Sequence, residues 1–471
     1  MTTLLLVWGC LAIGFMMIGQ GTRRGSAGLP LAYFLELSLI HTPGALLYAN
    51  NPKWQPLYVL TYDGFQQTVV GLAAFLTAVL IARLTTNPPP VHFERARDQR
   101  PGMLRRISLI YIVLGFGFFV LTPLISRIPS GGAMSSALAS LLIVGVAIRI
   151  WEAKQSGSSI RYWQTAALLP LLPLTTLLKD GFMSFGTNWL ICTGAFFFNQ
   201  SKGSRPAYIL VMPFVGIFAL SVFVNYMASR TEYRQLVWYQ NAGITQRIDQ
   251  VGKMIERFEW MDFSSERQRN AIDERLNQNV LVGMAIDRLD RRVVDYAQGS
   301  TLTDMALALI PRAIWPNKPA VGGGGDVVQR FSGYVAEAGT SVGAGQVLEF
   351  YANFGSWGVI AGFFLFGWLI AKVDLTAINY LRQGDDSGFL LWFLPGLALI
   401  QPGGNLLEVA TSVASTIIAA KGLCWLRQHA AWMSPTPTRH AHPVRRLQRR
   451  GSSFHRESGL PRLPNPGAGN L

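Results

Sequence analysis

The chain has 471 residues, half of them hydrophobic and only 14% charged, against roughly a quarter charged in soluble proteins. Its mean hydropathy is positive and its formal net charge is +15. These figures exclude an ordinary soluble enzyme. Apolar runs long enough to cross a bilayer predict an all-α polytopic membrane protein, because a helix satisfies its own backbone in lipid.

In chain order, about 11 (11–12) transmembrane helices are expected, at 2–19, 29–49, 65–82, 107–125, 131–148, 163–178, 182–198, 207–227, 354–371, 387–401 and 406–426. The first lacks a basic leader, so it reads as a retained helix rather than a signal peptide. The run at 387–401 is short and carries Pro395, with Pro402-Gly403-Gly404 after it; a re-entrant segment is its alternative. The predicted organisation is an N-terminal bundle of about eight spans (1–227), one large loop with helices and a proline-rich segment (228–353), about three further spans (354–426) and a basic tail (427–471). Cys10, Cys192 and Cys424 all fall inside spans and predict buried thiols rather than a disulfide or a metal site.

Charge placement gives a predicted orientation. Arg23, Arg24, Arg83, Arg95, Arg97, Arg100, Arg105, Arg106, Arg149, Lys154, Arg161, Lys202, Arg205, Lys372 and Arg382 lie in odd-numbered loops. Only Lys53, Arg127 and Lys179 lie in the even-numbered short ones. By the positive-inside rule the N-terminus and the 228–353 loop face outward and the tail is cytoplasmic. The tail is rich in Arg, Pro, Gly and Ser and predicts a disordered segment attracted to anionic lipid. No aromatic interleaving marks it as a nucleic-acid arm.

Within the loop, Ile272, Leu276, Val280 and Met284 recur every four residues and predict one apolar helix face. Gly322-Gly323-Gly324-Gly325 lacks the Lys-Ser/Thr of a phosphate loop. Asp385-Asp386 has no second acidic pair to complete a nucleotide–metal site. His440 and His442 lack a third ligand, so metal chemistry finds no pattern here. No serine nucleophile elbow is present either.

The stretch richest in chemistry runs from Leu309 to Gly367. Ile310-Pro311-Arg312-Ala313-Ile314-Trp315-Pro316-Asn317-Lys318-Pro319 holds three prolines, which fix a stiff path and forbid a regular helix. Arg312 and Lys318 on that path suit an anionic group, Arg as a bidentate fork and Lys as a point charge. Trp315 with the same cations also fits an anchor at headgroup level. Arg330, Tyr334 and Glu337 follow. Glu349-Phe350-Tyr351-Ala352-Asn353-Phe354-Gly355 then leads into the next span, with Glu349 either a general base or the ion partner of a loop arginine. Upstream, Arg275, Arg288 and Arg292 sit on helical stretches, Arg288 and Arg292 on one face. Inside the spans, Glu36, His41 and Glu408 are costly ionisable groups, read as functional or as satisfied interhelical hydrogen bonds. Thr42-Pro43-Gly44 predicts a helix break beside His41.

At Pro311 to Pro319 (Pro-Arg-x-x-Trp-Pro-x-Lys-Pro) together with Glu349 to Gly355, the chain resembles the Wzy-type polysaccharide repeat-unit polymerases of bacteria. Arg275-Leu276-Asn277-Gln278 and Gly299 also look like that family, and the resemblance covers about residues 270–367. It implies a fold similar to the lipid-dependent C-type glycosyltransferases, in the bacterial inner membrane. It implies a metal-independent, cofactor-free inverting transfer: a growing glycan leaves undecaprenyl diphosphate for a hydroxyl of the next lipid-linked repeat unit. Membrane lipids, a chain-length regulator and a flippase are the implied partners, with no nucleic acid. Arg312 would stabilise the departing diphosphate, with Glu349 or His41 as base. Arg275, Arg288, Arg292, Lys318, Arg330, Tyr351, Asn353 and Trp315 would bind substrate. An O-antigen ligase, or a transporter of the same lipid-linked sugars, are the alternatives; the long outer loop and the absence of an internal repeat speak against the transporter.

Overall fold

A computed structural model describes residues 1–18, 25–50, 55–86, 101–128, 131–201, 205–240, 242–310, 315, 317, 323–335 and 342–433. The described residues contain no strand. In chain order they form α1 (Thr2–Met17), α2 (Leu29–Asn50), α3 (Gln55–Thr85), α4 (Pro101–Ile125), α5 (Gly131–Ala139), α6 (Leu141–Gln155), α7 (Ser159–Leu168), α8 (Leu171–Asp180) and α9 (Ser184–Gln200). There follow α10 (Arg205–Arg234) with a π-helical turn (Gln235–Tyr239), α11 (Ile244–Glu256), α12 (Glu266–Arg275), α13 (Asn279–Asp290), α14 (Ser300–Ala308), α15 (Gly324–Ser332), α16 (Gln346–Arg382), α17 (Asp386–Ala398) and α18 (Leu406–Met433).

Six described helices are long and apolar enough to cross a membrane: Leu57–Thr85, Gly102–Ile125, Gly131–Gln155, Leu210–Tyr239, Gln346–Arg382 and Leu406–His429. The protein is an all-α membrane protein. Val113, Leu210, Phe214, Trp357 and Leu365 lie exposed on these helices, as lipid-facing positions do.

Six is fewer than the eleven runs in the sequence; α2, with 22 residues, is not among the six, and the other four shortfalls have local causes. The run at 163–178 breaks at Leu169-Pro170 into α7 and α8, ten residues each; about twenty are needed to span the hydrocarbon. The run at 387–401 becomes α17, thirteen residues with Pro395 inside. Its Phe389, Leu390, Phe393 and Leu394 are fully buried, so α17 is an internal helix. The helices covering the first and seventh runs, α1 and α9, have 16 and 17 residues.

Residues Met1–Leu426 form one compact unit. A second unit starts at Arg427, and of the expected basic tail everything after Met433 lies outside the described residues. The centre of the first unit is aromatic: Tyr33 stacks on Phe75 at 4.6 Å, and Phe15 on Phe34 at 4.7 Å. Around it α16 packs along α3, and α13 packs on both.

Within the expected loop (228–353), α13 packs directly on the membrane helix α3. A side chain on Gly64 would overlap the Asn279 carbonyl, and one on Gly283 would overlap that of Leu60. Missing side chains thus let the α3 and α13 backbones approach closely, as small residues do between membrane helices. The four-residue apolar stripe from Ile272 to Met284 is not one helix face, because Leu276–Gln278 separate α12 from α13. Ile272 and Leu276 pack with Leu47, Tyr48, Leu220 and Val224. Val282, Ala285, Ile286 and Leu289 form the buried face of α13.

Candidate functional site

The helix α2 runs through Pro43 rather than stopping there. Proline has no N–H and its ring crowds the preceding turn. Two carbonyls of that turn take donors from outside the helix. Gln278 N–H donates to Ile40 O at 3.0 Å, and Asn279 Nδ2 donates to His41 O at 2.7 Å. The proline in α2 thus supplies the seat for the start of α13.

His41 is 1% exposed. Its Nδ1 lies 2.7 Å from Asn279 Oδ1 and 3.2 Å from Thr68 Oγ1. Asn279 Nδ2 also donates to Asn277 Oδ1 at 3.0 Å. Asn277 Nδ2 donates in turn to Asp273 Oδ1 at 2.6 Å and to Thr61 Oγ1 at 3.1 Å. Tyr48 OH donates to the other Asp273 oxygen at 2.9 Å. The buried polar residues of α2, α3, α12 and α13 are thus joined in one chain ending on a carboxylate. A connected network of this kind ties its helices together. His41 Nε2, Thr42 Oγ1 and the Gln278 side-chain oxygen are buried at the same junction without a protein partner.

The start of α16 is a second polar junction. Glu349, 1% exposed, accepts from Leu406 N–H at 2.6 Å. It therefore caps α18, where a carboxylate meets the positive end of the helix dipole. Asn405 and Glu408 complete the cap: Glu408 N–H donates to Asn405 Oδ1 at 2.9 Å. Asn353 accepts from Gly299 N–H at 2.9 Å and donates to Thr301 Oγ1 and Glu349 O, fixing the start of α14 to α16. Tyr351 lies against Tyr296, with ring centres 6.4 Å apart. Just beyond, α16 is kinked at Phe354 and Gly355, and Gly355 holds φ 63°, a region open to glycine and strained for other residues. Glu36, deeper in α2, takes a hydrogen bond from Asn188 of α9.

The cations divide into two kinds. Arg275 and Arg288 are half-buried, each with a buried Nε that has no partner. Neither forms an ion pair among the described residues. Arg288 closes on Gly333 at the end of α15, where a side chain would strike its guanidinium. Arg275 lies within electrostatic range of Arg230, whose neighbour on the other side is Arg234. Arg234 in turn lies over Phe182 at 4.3 Å and Trp238 at 4.8 Å. By contrast Arg292, at φ 56°, and Arg330, at 4.9 Å from the Phe331 ring centre, are exposed. Trp315 is 39% exposed. Arg312 and Lys318 lie outside the described residues.

The structure therefore brings His41 and Arg275 onto elements joined by one network, and Glu349 and Asn353 into another. Arg292 and Arg330 stand apart on the surface. Sequence reasoning passed over Asp273, Asn279, Arg230 and Arg234, and gave Asn277 no role of its own. A signal was available for the asparagines: two amides flanking a helix break, opposite a span that carries His and Pro.

The sequence profile of a family described as a domain of unknown function, DUF8712, matches residues 59–384. No curated protein and no solved structure matches the chain. The matched region runs from within α3 through the whole of α16 and holds both polar junctions except their α2 residues and the α18 cap; the chain belongs to the DUF8712 family.

Proposed function

We propose that this protein is a membrane glycosyltransferase that polymerises lipid-linked oligosaccharide repeat units at the outer face of the bacterial inner membrane. The reading starts from the resemblance to the Wzy-type polymerases. The observation that carries it furthest is the pair Arg275 and Arg288, half-buried guanidinium groups that form no ion pair among the described residues. A desolvated cation without a counter-charge is costly, and Arg geometry matches phosphate oxygens bidentately. A diphosphate ester fits that requirement.

In this reading the donor is a glycan on undecaprenyl diphosphate. The acceptor hydroxyl of the next lipid-linked unit attacks the anomeric carbon from the face opposite the diphosphate. The carbon–oxygen bond to the diphosphate breaks and its electron pair leaves with the lipid. Arg275 and Arg288, with Arg312 and Lys318 of the proline segment, stabilise the departing charge. Losing one such preorganised contact costs about 3–4 kcal/mol of barrier. His41 takes the hydroxyl proton. Glu349 supports the site indirectly, because its carboxylate is engaged by the start of α18. The N-terminus then lies outside and the C-terminus in the cytoplasm.

The test is deletion of the gene, followed by gel analysis of surface glycans and complementation with Arg288→Ala or Arg312→Ala. The expected phenotype is single repeat units without the long ladder, unrestored by either variant. Loss of all surface glycan would instead support a ligase or a flippase. A full ladder with Arg288→Ala would remove that residue from the mechanism.

A further inference from the structure

We infer that Asp273, Asn277 and Asn279 form a relay of positioning residues that keeps a proton on His41 Nδ1 and leaves Nε2 bare as a proton acceptor.

The tautomer follows from counting donors. Asn279 Nδ2 has two hydrogens, and both are committed, to His41 O and to Asn277 Oδ1. Its oxygen must therefore face His41 Nδ1 as an acceptor. Thr68 has one hydroxyl hydrogen, which goes to Gly64 O at 3.1 Å, so the Thr68 oxygen also meets Nδ1 as an acceptor. Two acceptors around one ring nitrogen require that nitrogen to carry the proton. The neutral ring then holds its lone pair on Nε2, which is buried and has no partner among the described residues.

The amides all point one way. Asn279 turns its oxygen to His41 and its nitrogen to Asn277. Asn277 turns its oxygen to Asn279 and its nitrogen to Asp273. The negative end of each dipole faces the ring, and the chain ends on the Asp273 carboxylate, itself held by Tyr48. Aligned in this way, the relay favours positive charge on the imidazole at the moment Nε2 accepts a proton. A carboxylate next to the histidine would do the same, but here two amides carry the effect between helices. Resting on the polymerase reading, the step is as follows. The acceptor hydroxyl gives its proton to Nε2 as its oxygen bonds to the anomeric carbon and the diphosphate leaves with the electron pair. The imidazolium afterwards returns that proton to solvent.

The experiment uses the full chain in lipid nanodiscs with 15N-labelled histidine. The chain has six histidines, and the His41 signals are those lost in His41→Gln. Expected in the unaltered protein are a protonated, pyrrole-type Nδ1 and a pyridine-type Nε2. In Asn279→Leu the Nδ1–H tautomer should cease to dominate, and in Asn279→Asp, which keeps an acceptor oxygen, it should persist. Polymer formation should fall about 10²-fold or more in His41→Gln and Asn279→Leu, the range of a lost general base. A proton found on Nε2 in the unaltered protein, or a tautomer ratio unmoved in a folded Asn279→Leu, would overturn the relay. The Asn279→Asp spectrum alone decides if the leucine variant does not fold: loss of the Nδ1–H form there refutes the acceptor role. The expected spectra together with an unaltered protein that forms no polymer would sink the polymerase reading and leave the relay standing.

Discussion

Two arginines in this protein meet opposite fates. Arg83, at the end of α3, is 5% exposed and sits 3.6 Å from the fully buried Asp374 of α16. Asp374 also accepts from Leu29 N–H at 3.0 Å, while Arg83 donates to Gly25 O at 3.1 Å. This clasp ties α2, α3 and α16 together and leaves its charges neutralised by the protein itself. Arg288, on α13, is half-buried and forms no ion pair among the described residues, and Arg275 has Arg230 within electrostatic range. A cation that the fold answers with a counter-charge is structural. One that the fold leaves unpaired among the described residues is the kind the proposed function draws on.

The comparison is sharpened first by the docking surface under Arg288. Gly64→Val places a branched side chain against the Asn279 backbone and should prevent α13 from seating. We expect loss of folded protein, seen as aggregation on size-exclusion chromatography in detergent. Normal elution with an unchanged melting curve would show that α13 does not lie on α3 as described.

Next comes the clasp. Asp374→Ala leaves Arg83 buried and uncompensated, for which a loss of about 3–5 kcal/mol is typical. It should appear as a large drop in the thermal midpoint of the solubilised protein. Glu349→Gln removes a charge from the start of α18 and should cost about 1 kcal/mol. Arg288→Ala should cost less than either in stability yet abolish the glycan ladder. A drop in midpoint as large as that of Asp374→Ala would make Arg288 a structural residue and erase the distinction between the two arginines. The smallest effect is expected from the exposed pair Arg267–Glu259, 2.6 Å apart. Arg267→Ala should change stability by about 0.2–1 kcal/mol, as surface ion pairs do.

The class of this protein was legible in its residues because the bilayer imposes a rule that composition alone reveals. Apolar runs must be helical in lipid, and α3, α4, α10, α16 and α18 correspond to runs read directly from the chain. The number of crossings was less legible. Whether an apolar helix of ten to seventeen residues, such as α7, α8 or α17, crosses or stays internal depends on where proline stops it and what covers it. Pro170 and Pro395 are visible in the sequence, but the burial of α17 on its neighbours is not.

For the site, the sequence nominated Glu36, His41 and Glu408 as residues out of place in a membrane, Glu349 as a base or ion partner, and the loop arginines as groups suited to an anionic substrate. Lipid penalises charge so heavily that each exception stands out. It could not assign them partners. That Asn279 faces His41 across 238 positions of chain follows from close packing at Gly64 and Gly283, and that Glu349 is occupied by the first N–H of α18 follows from how α16 and α18 meet. The sequence determined which groups had to find a hydrogen bond or a counter-charge. Tertiary structure alone decided which of them found one, because hydrogen bonds and ion pairs act over a few ångströms, and only the packed backbone sets distances on that scale.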